Sequence, residues 1–264
     1  MSTHKSLESK KYIEELEDKI VALSLQYKSK ANELNLLNES HEKSVGKLIH
    51  NLRNPIGVIF SFSDMILEDL DDYTPDKLEK HIQIIKSSAA FSLKMITTVA
   101  KNTQLNSPEH RYDFKTINFV ELVNEVINEL TENALMKNCI IKTDIENHPI
   151  HLSLDLTEIS VALKHIINNA IRYSDENSVV KIILKENENT VDIAVIDQGI
   201  GISEENLGQI FKEFFVVNTY SEDKQKCIGL GLSIANKIIK DHKGKISATS
   251  SLNKGSTFKI TLPK

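Results

Sequence analysis

Glycine is confined almost entirely to one end of this chain. Of nine glycines in 264 residues, only Gly46 and Gly57 precede residue 198, while Gly199, Gly201, Gly208, Gly229, Gly231, Gly244 and Gly255 crowd the last quarter. Glycine permits turns and close backbone approach but weakens helix interiors. A chain arranged this way puts long helices first and tight, ligand-sized turns late. Apolar spacing agrees. Ile13, Leu16, Ile20, Leu23, Tyr27, Leu34 and Leu37 fall on heptad a and d positions, with polar gaps at Lys30 and His41. That pattern predicts a coiled coil, or the lead-in to a helical bundle, over residues 1–40.

The stripe then continues through Val45, Leu48, Leu52, Ile56, Ile59, Ile66 and Leu70. A polar break at DLDDYTPDK follows, with Thr74 as N-cap and Pro75 at the first helical position. A second amphipathic helix carries Leu78, Ile82, Ile85, Ala89, Leu93, Ile96 and Ala100. Residues 41–105 thus form a helical hairpin, and two hairpins from a homodimer would close a four-helix bundle. The segment QLNSPEHRY, with Pro108, ends in a linker over 106–112.

From residue 113 to 264 the pattern is mixed. YDFKTINF is strand-like, VELVNEVINELTENALMK is an amphipathic helix, and CIIKTDI and IHLSLD are strands around a turn at Asn147-His148-Pro149. Asp155 and Glu158 are spaced as a capping box before DLTEISVALKHIINNAIRYS. SVVKIILKE with TVDIAVID, and GKISATSS with STFKITLP, read as two hairpins. Helices covering one face of a mixed sheet make an α/β sandwich.

The formal charge of −5 gives no electrostatic case for nucleic acid. No apolar run is long enough for a membrane segment in this chain, and two distant cysteines, Cys139 and Cys227, fit a reduced, cytoplasmic setting.

The chemistry starts at His50. Successive residues turn about 100° around a helix, so His50 points away from the stripe formed by Leu48 and Leu52, and Asn54 shares its face. Pro55 removes one helical hydrogen bond and tends to kink or loosen the helix there. In VIDQGIGIS a strand ends at Asp197, and Gly199 and Gly201 allow a tight turn against a ligand. The dinucleotide fingerprint fails because Glu204 occupies its third glycine position, and no P-loop pattern occurs. Gly229 and Gly231 instead open a helix in IGLGLSIANKII, whose free N–H groups suit a polyphosphate. Upstream, Asn169 offers an amide oxygen to Mg²⁺, Arg172 a guanidinium to phosphate and Tyr173 a ring to adenine.

These segments, in this order, resemble the catalytic core of bacterial two-component sensor histidine kinases, with a HisKA-type dimerisation domain and a GHKL-type ATP-binding fold. HNLRNP is similar to the H box, HIINNAIRYS to the N box, DQGIG and GLGL to the two glycine boxes, and IFKEFF to the F box. NKGSTFKITLP is similar to the C-terminal strand motif, and the likeness spans about residues 40–264. It implies that His50 accepts the phosphoryl group and that Asn54 supplies the amide used in dephosphorylating a partner. It further implies that Asn169 holds Mg²⁺, that Arg172 and Tyr173 contact phosphate and adenine, and that Asp197 accepts the adenine amino group. Gly199 and Gly201 would shape the pocket, Gly229, Gly231 and Leu232 would form the phosphate-side turn, and Thr257 would lie near adenine. VVNTYSEDKQKC, residues 216–227, corresponds to a lid over ATP.

Three positions depart from the family pattern. Asn51 stands where a carboxylate usually follows the phospho-acceptor; its amide can orient the imidazole but cannot act as a base. His165 replaces an asparagine, and Cys227 replaces a glycine. The expectation is an ATP-dependent histidine kinase that passes its phosphoryl group to the receiver domain of a response regulator. A kinase-impaired homologue working as phosphatase or scaffold is the alternative. An ATPase of chaperone or DNA-repair type would need a carboxylate where His165 stands.

Overall fold

A computed structural model of the chain describes residues 2–70, 73–217 and 227–264. The side chains of Ile13, Leu16, Ile20, Leu37 and His41, and lid positions 218–226, lie outside the described residues. The chain divides into two compact units, Met1–Asn51 and Leu52–Lys264.

Helix α1, Ser2–Glu68, takes in both the heptad segment and the histidine-bearing stripe. It passes through Pro55 without interruption, so the lost hydrogen bond does not end the helix. In the first unit Leu23, Tyr27 and Leu34 are exposed, as an unpaired heptad seam would be. In the second unit α1 turns back into α2, Pro75–Asn106. Thr74 caps α2 by accepting from the Lys77 N–H at 3.3 Å, with Pro75 in the first turn. The turn is closed by His81, whose Nδ1 meets the Tyr73 hydroxyl at 2.8 Å and whose ring packs edge-on against Phe62.

Beyond the linker come β1, Lys115–Asn118; α3, Phe119–Met136; β2, Ile140–Ile145; and β3, His151–Leu154. Helix α4, Leu156–Tyr173, leads to β4, Val179–Glu186, and β5, Thr190–Ile196. The short α5, Glu204–Leu207, precedes α6, Gly231–Asp241, β6, Lys245–Ser250, and β7, Ser256–Pro263. Five strands form one mixed sheet in the order β2-β4-β5-β7-β6, with only the β2–β4 pair parallel. The turn at Asn147-His148-Pro149 does not join paired strands: β3 pairs with β1 in a separate two-stranded ladder. The other two expected hairpins, β4–β5 and β6–β7, form as antiparallel pairs.

One face of the sheet explains the fold. Val180, Ile182, Leu184, Val191, Ile193, Val195, Phe258, Ile260 and Leu262 are buried, and α3, α4 and α6 cover them with a run of Ile, Leu, Val and Ala. On the other face Asp192 accepts from Thr261 at 2.6 Å and pairs with Lys259 at 3.0 Å. The result is a two-layer α/β sandwich behind N-terminal helices.

Asp155 joins α4 to its surroundings. Its Oδ1 accepts from the Glu158 N–H at 3.1 Å, capping α4, and its Oδ2 accepts from the N–H of Asp113, just past the linker, at 2.9 Å. The Asp155 N–H in turn donates to His242 Nε2 at 3.0 Å, while His242 Nδ1 faces the Ile238 carbonyl at 2.7 Å. That pairing assigns the ring proton to Nδ1 and needs a neutral imidazole, and burial pushes the His242 pKa down in the same sense.

Candidate nucleotide-binding site

Three features of the sandwich converge on one cavity of about 820 Å³ within the second unit. That volume lies in the range of small-molecule sites, ~300–1,000 Å³.

The first is the C-terminal turn of α4. Ile166, Ile167, Ala170 and Ile171 are buried in the core, so the intervening Asn168, Asn169, Arg172 and Tyr173 fall on the opposite face and line the cavity. The Arg172 guanidinium lies 6.0 Å from the Tyr173 ring centroid, and the Tyr173 hydroxyl lies 3.0 Å from Cys227 Sγ.

The second is the end of β5. Asp197 is 5% exposed, and its Oδ1 accepts from the N–H groups of Gly199 and Ser256, each at 3.0 Å. Burial raises its carboxyl above the ordinary aspartate range, and those two donors pull against the rise. The glycine is required by space: a Cβ on Gly199 would sit 1.8 Å from the Tyr173 carbonyl oxygen. This close approach, together with the Ser174–Gly199 bridge, fixes Asp197 beside Tyr173.

The third is the start of α6. Gly229 holds φ +78°, a left-handed conformation that favours glycine. Leu230 at the N-cap provides no side-chain cap, so the first-turn N–H groups are presented without one. The ring of His165 packs on Gly231, where a Cβ would meet Nδ1 at 3.0 Å. Burial, and then the charge of Lys94, push the His165 pKa down to about 4.

The structure therefore brings Asn169, Arg172, Tyr173, Asp197, Gly201, Gly229, Gly231 and Leu232 to one cavity. Gly199 stands behind the wall, and Thr257 points elsewhere: β7 alternates, and Ser256 and Phe258 take the cavity side. His50 and Asn51 belong to the first unit, where His50 is exposed and Asn51 half-buried; Asn54 is exposed in the second. Sequence reasoning did not foresee that residues of the helical hairpin line this cavity, namely Pro55 and Val58 on α1, and Ser87, Phe91, Lys94 and Thr98 on α2. Their spacing of three and four was the available signal, but it lies beside the stronger apolar stripe.

For a metal, the donor set is oxygen-rich and sparse. Among the described residues no group of three His, Cys, Asp or Glu could hold an ion. The Asn169 and Asn168 amides fit an ion that keeps water and phosphate ligands, as Mg²⁺ does, rather than one needing an all-protein cage.

Comparison with known proteins bears on the same residues. Residues 154–264 match the family described as histidine kinase-, DNA gyrase B-, and HSP90-like ATPase. The catalytic domain of histidine kinase ThkA is 32% identical, covering 58% of this chain and 96% of that domain, with a TM-score of 0.51. The chain belongs to the histidine kinases. Its C-terminal part is an ATP-binding domain of their shared ATPase fold. ThkA in complex with the response regulator protein TrrA matches 83% of this histidine kinase chain at 30% identity, over 60% of the ThkA chain, with a TM-score of 0.68. The sensor protein KdpD of Clostridium acetobutylicum is 28% identical over 250 residues, covering 92% of this chain but 27% of KdpD. The chain spans less than half the length of that curated relative. Among its described residues no helix is long and apolar enough to cross a membrane.

Proposed function

We propose that this chain is the catalytic core of a cytoplasmic, homodimeric sensor histidine kinase. In this reading it phosphorylates itself on His50 with ATP and passes the phosphoryl group to a response regulator aspartate. The observation carrying the reading is the single cavity in which a buried carboxylate, the polar end of α4 and the glycine-opened start of α6 face one another. Asp197 would accept the adenine amino group, Tyr173 would cover the base, and Arg172 and the α6 N-terminus would take the phosphates. Mg²⁺, held through Asn169, would neutralise phosphate charge.

The imidazole nitrogen of His50 attacks the γ-phosphorus, the bond to the bridging oxygen breaks, and ADP leaves. The remaining ring proton, oriented by the Asn51 amide, is then lost to water. Positioning and electrostatics supply most of the acceleration, as in other phosphoryl transfers. Asn54, one turn on, would orient water for dephosphorylating the regulator. The organisation proposed is a signalling helix over 1–40, a dimerisation and phosphotransfer hairpin over 41–105, a linker over 106–112 and the ATP-binding domain over 113–264. Support for the dimer comes from apolar side chains left uncovered in one chain: Ile56, Phe60, Ile82, Leu93 and Ile96 are each more than half exposed or at one half.

The test is transfer. A chain carrying label from γ-labelled ATP, separated from nucleotide, should pass it to a purified receiver domain and not to a receiver whose acceptor aspartate is replaced by asparagine. Label that stays on the chain with every receiver offered would overturn the relay.

A further inference from the structure

The nucleotide cavity has a wall that does not belong to the ATPase domain. Ser87, Phe91, Lys94 and Thr98 recur on α2 at intervals of three and four and line it. The same stripe is anchored one turn further on. Lys101 pairs with Glu158 at 2.5 Å, with side chains 23% and 7% exposed, and Asn102 donates to Glu213 at 3.0 Å. Leu105 is buried in the sandwich core. These contacts fix the rotation of α2 about its axis, so Lys94, two turns before Lys101, is aimed at the cavity.

Its neighbours say which end of the cavity it serves. His165 feels the charge of Lys94, and His165 packs against Gly231 at the start of α6. Asp197, the carboxylate suited to a base, marks the other chemistry of the site. Lys94 therefore stands on the side of the α6 N-terminus, where a polyphosphate is favoured by both the helix dipole and Arg172. An ammonium on a flexible stem suits a phosphate oxygen as a mobile point charge.

We propose that Lys94 of the helical hairpin is a phosphate-contacting residue of the nucleotide site, so that the site is complete only when α2 is docked on the ATPase domain. This rests on the reading of the cavity as an ATP site. The consequence is reciprocal coupling: a triphosphate strengthens docking of α2, and docking strengthens triphosphate binding by the same factor.

The experiment is equilibrium binding of Mg-ATP and of adenosine to the full chain, comparing wild type with Lys94→Ala, Lys94→Arg, Lys101→Ala and Asp197→Asn. Removing one charge-assisted contact should weaken Mg-ATP by about ten-fold or more in Lys94→Ala and leave adenosine unchanged. Lys94→Arg should recover most of the loss. Lys101→Ala, which touches no ligand but loosens docking, should also weaken Mg-ATP, and the Lys94→Ala/Lys101→Ala pair should lose less than the sum of the two. Unchanged Mg-ATP affinity in Lys94→Ala, or an equal loss for adenosine, overturns the proposal while leaving the site reading intact. Wild type that fails to bind Mg-ATP, or that binds it no better than Asp197→Asn, overturns the site reading and the proposal with it.

Discussion

Replacing Asp197 by asparagine separates binding from stability in opposite directions. The carboxylate is 5% exposed, and its Oδ1 already accepts two backbone N–H groups at 3.0 Å, from Gly199 and Ser256. In the proposed site the other oxygen accepts from the adenine amino group. Asparagine can keep its carbonyl on the two backbone donors, which turns its NH₂ toward the ligand's own NH₂. A charged hydrogen bond worth about 1.5–3 kcal/mol is then lost, which is about ten- to hundred-fold in Kd.

Stability moves the other way. Burial raises the Asp197 pKa above its unfolded value, so the folded state resists ionisation. The stability linked to this group is fully present below the unfolded pKa and is lost as pH rises through the folded pKa. Asparagine never ionises and escapes that loss, so the variant should melt at or above the wild-type temperature at neutral pH. Titration calorimetry with Mg-ATP and thermal melts of the full chain measure both quantities. Unchanged ATP affinity would refute the role of Asp197, and lost affinity with a collapsed melt would show the residue to be structural.

Other expectations are as direct. Gly199→Ala would put a Cβ 1.8 Å from the Tyr173 carbonyl oxygen, so either the turn shifts or the fold yields; Mg-ATP binding should fall below detection while the far-ultraviolet dichroism of the long helices persists. Both His165, lowered to about 4, and His242, lowered by burial, hold neutral rings in the folded state. For a base with a depressed pKa, stability is complete above the unfolded value of about 6.5 and is lost as pH falls toward the folded one, so the melting temperature should drop across that window. His242→Gln should flatten the drop. Leu93, itself 66% exposed in one chain, lies on the face proposed to close the dimer, so sedimentation should find Leu93→Glu monomeric and wild type dimeric.

The helices and most of the sheet were legible because their signals are local. The stripe through Leu52 and Ile56, the Thr74-Pro75 start and the Asp155 cap each sit within one or two turns of the residues they organise. The pairing of β2 was not, since its partner β4 is parallel and lies beyond a whole helix, and nothing at Asn147-His148-Pro149 distinguishes a crossover from a hairpin. The glycine turns around Asp197 and at Gly229 were readable from composition. Thr257 and Ser256 were confused because strand register sets which of two adjacent residues faces the cavity. Lys94 and the buried His242 were invisible for another reason: their partners come from elements far away in the chain.

The central claim is that ATP bound in the sandwich phosphorylates His50. Incubating the full chain with γ-labelled ATP and Mg²⁺, then testing the label in acid and alkali, measures it most directly. Wild type should carry an acid-labile, alkali-stable label that is absent from His50→Gln and strongly reduced in Asp197→Asn. Equal labelling of wild type and His50→Gln, or no labelling of wild type, would contradict it.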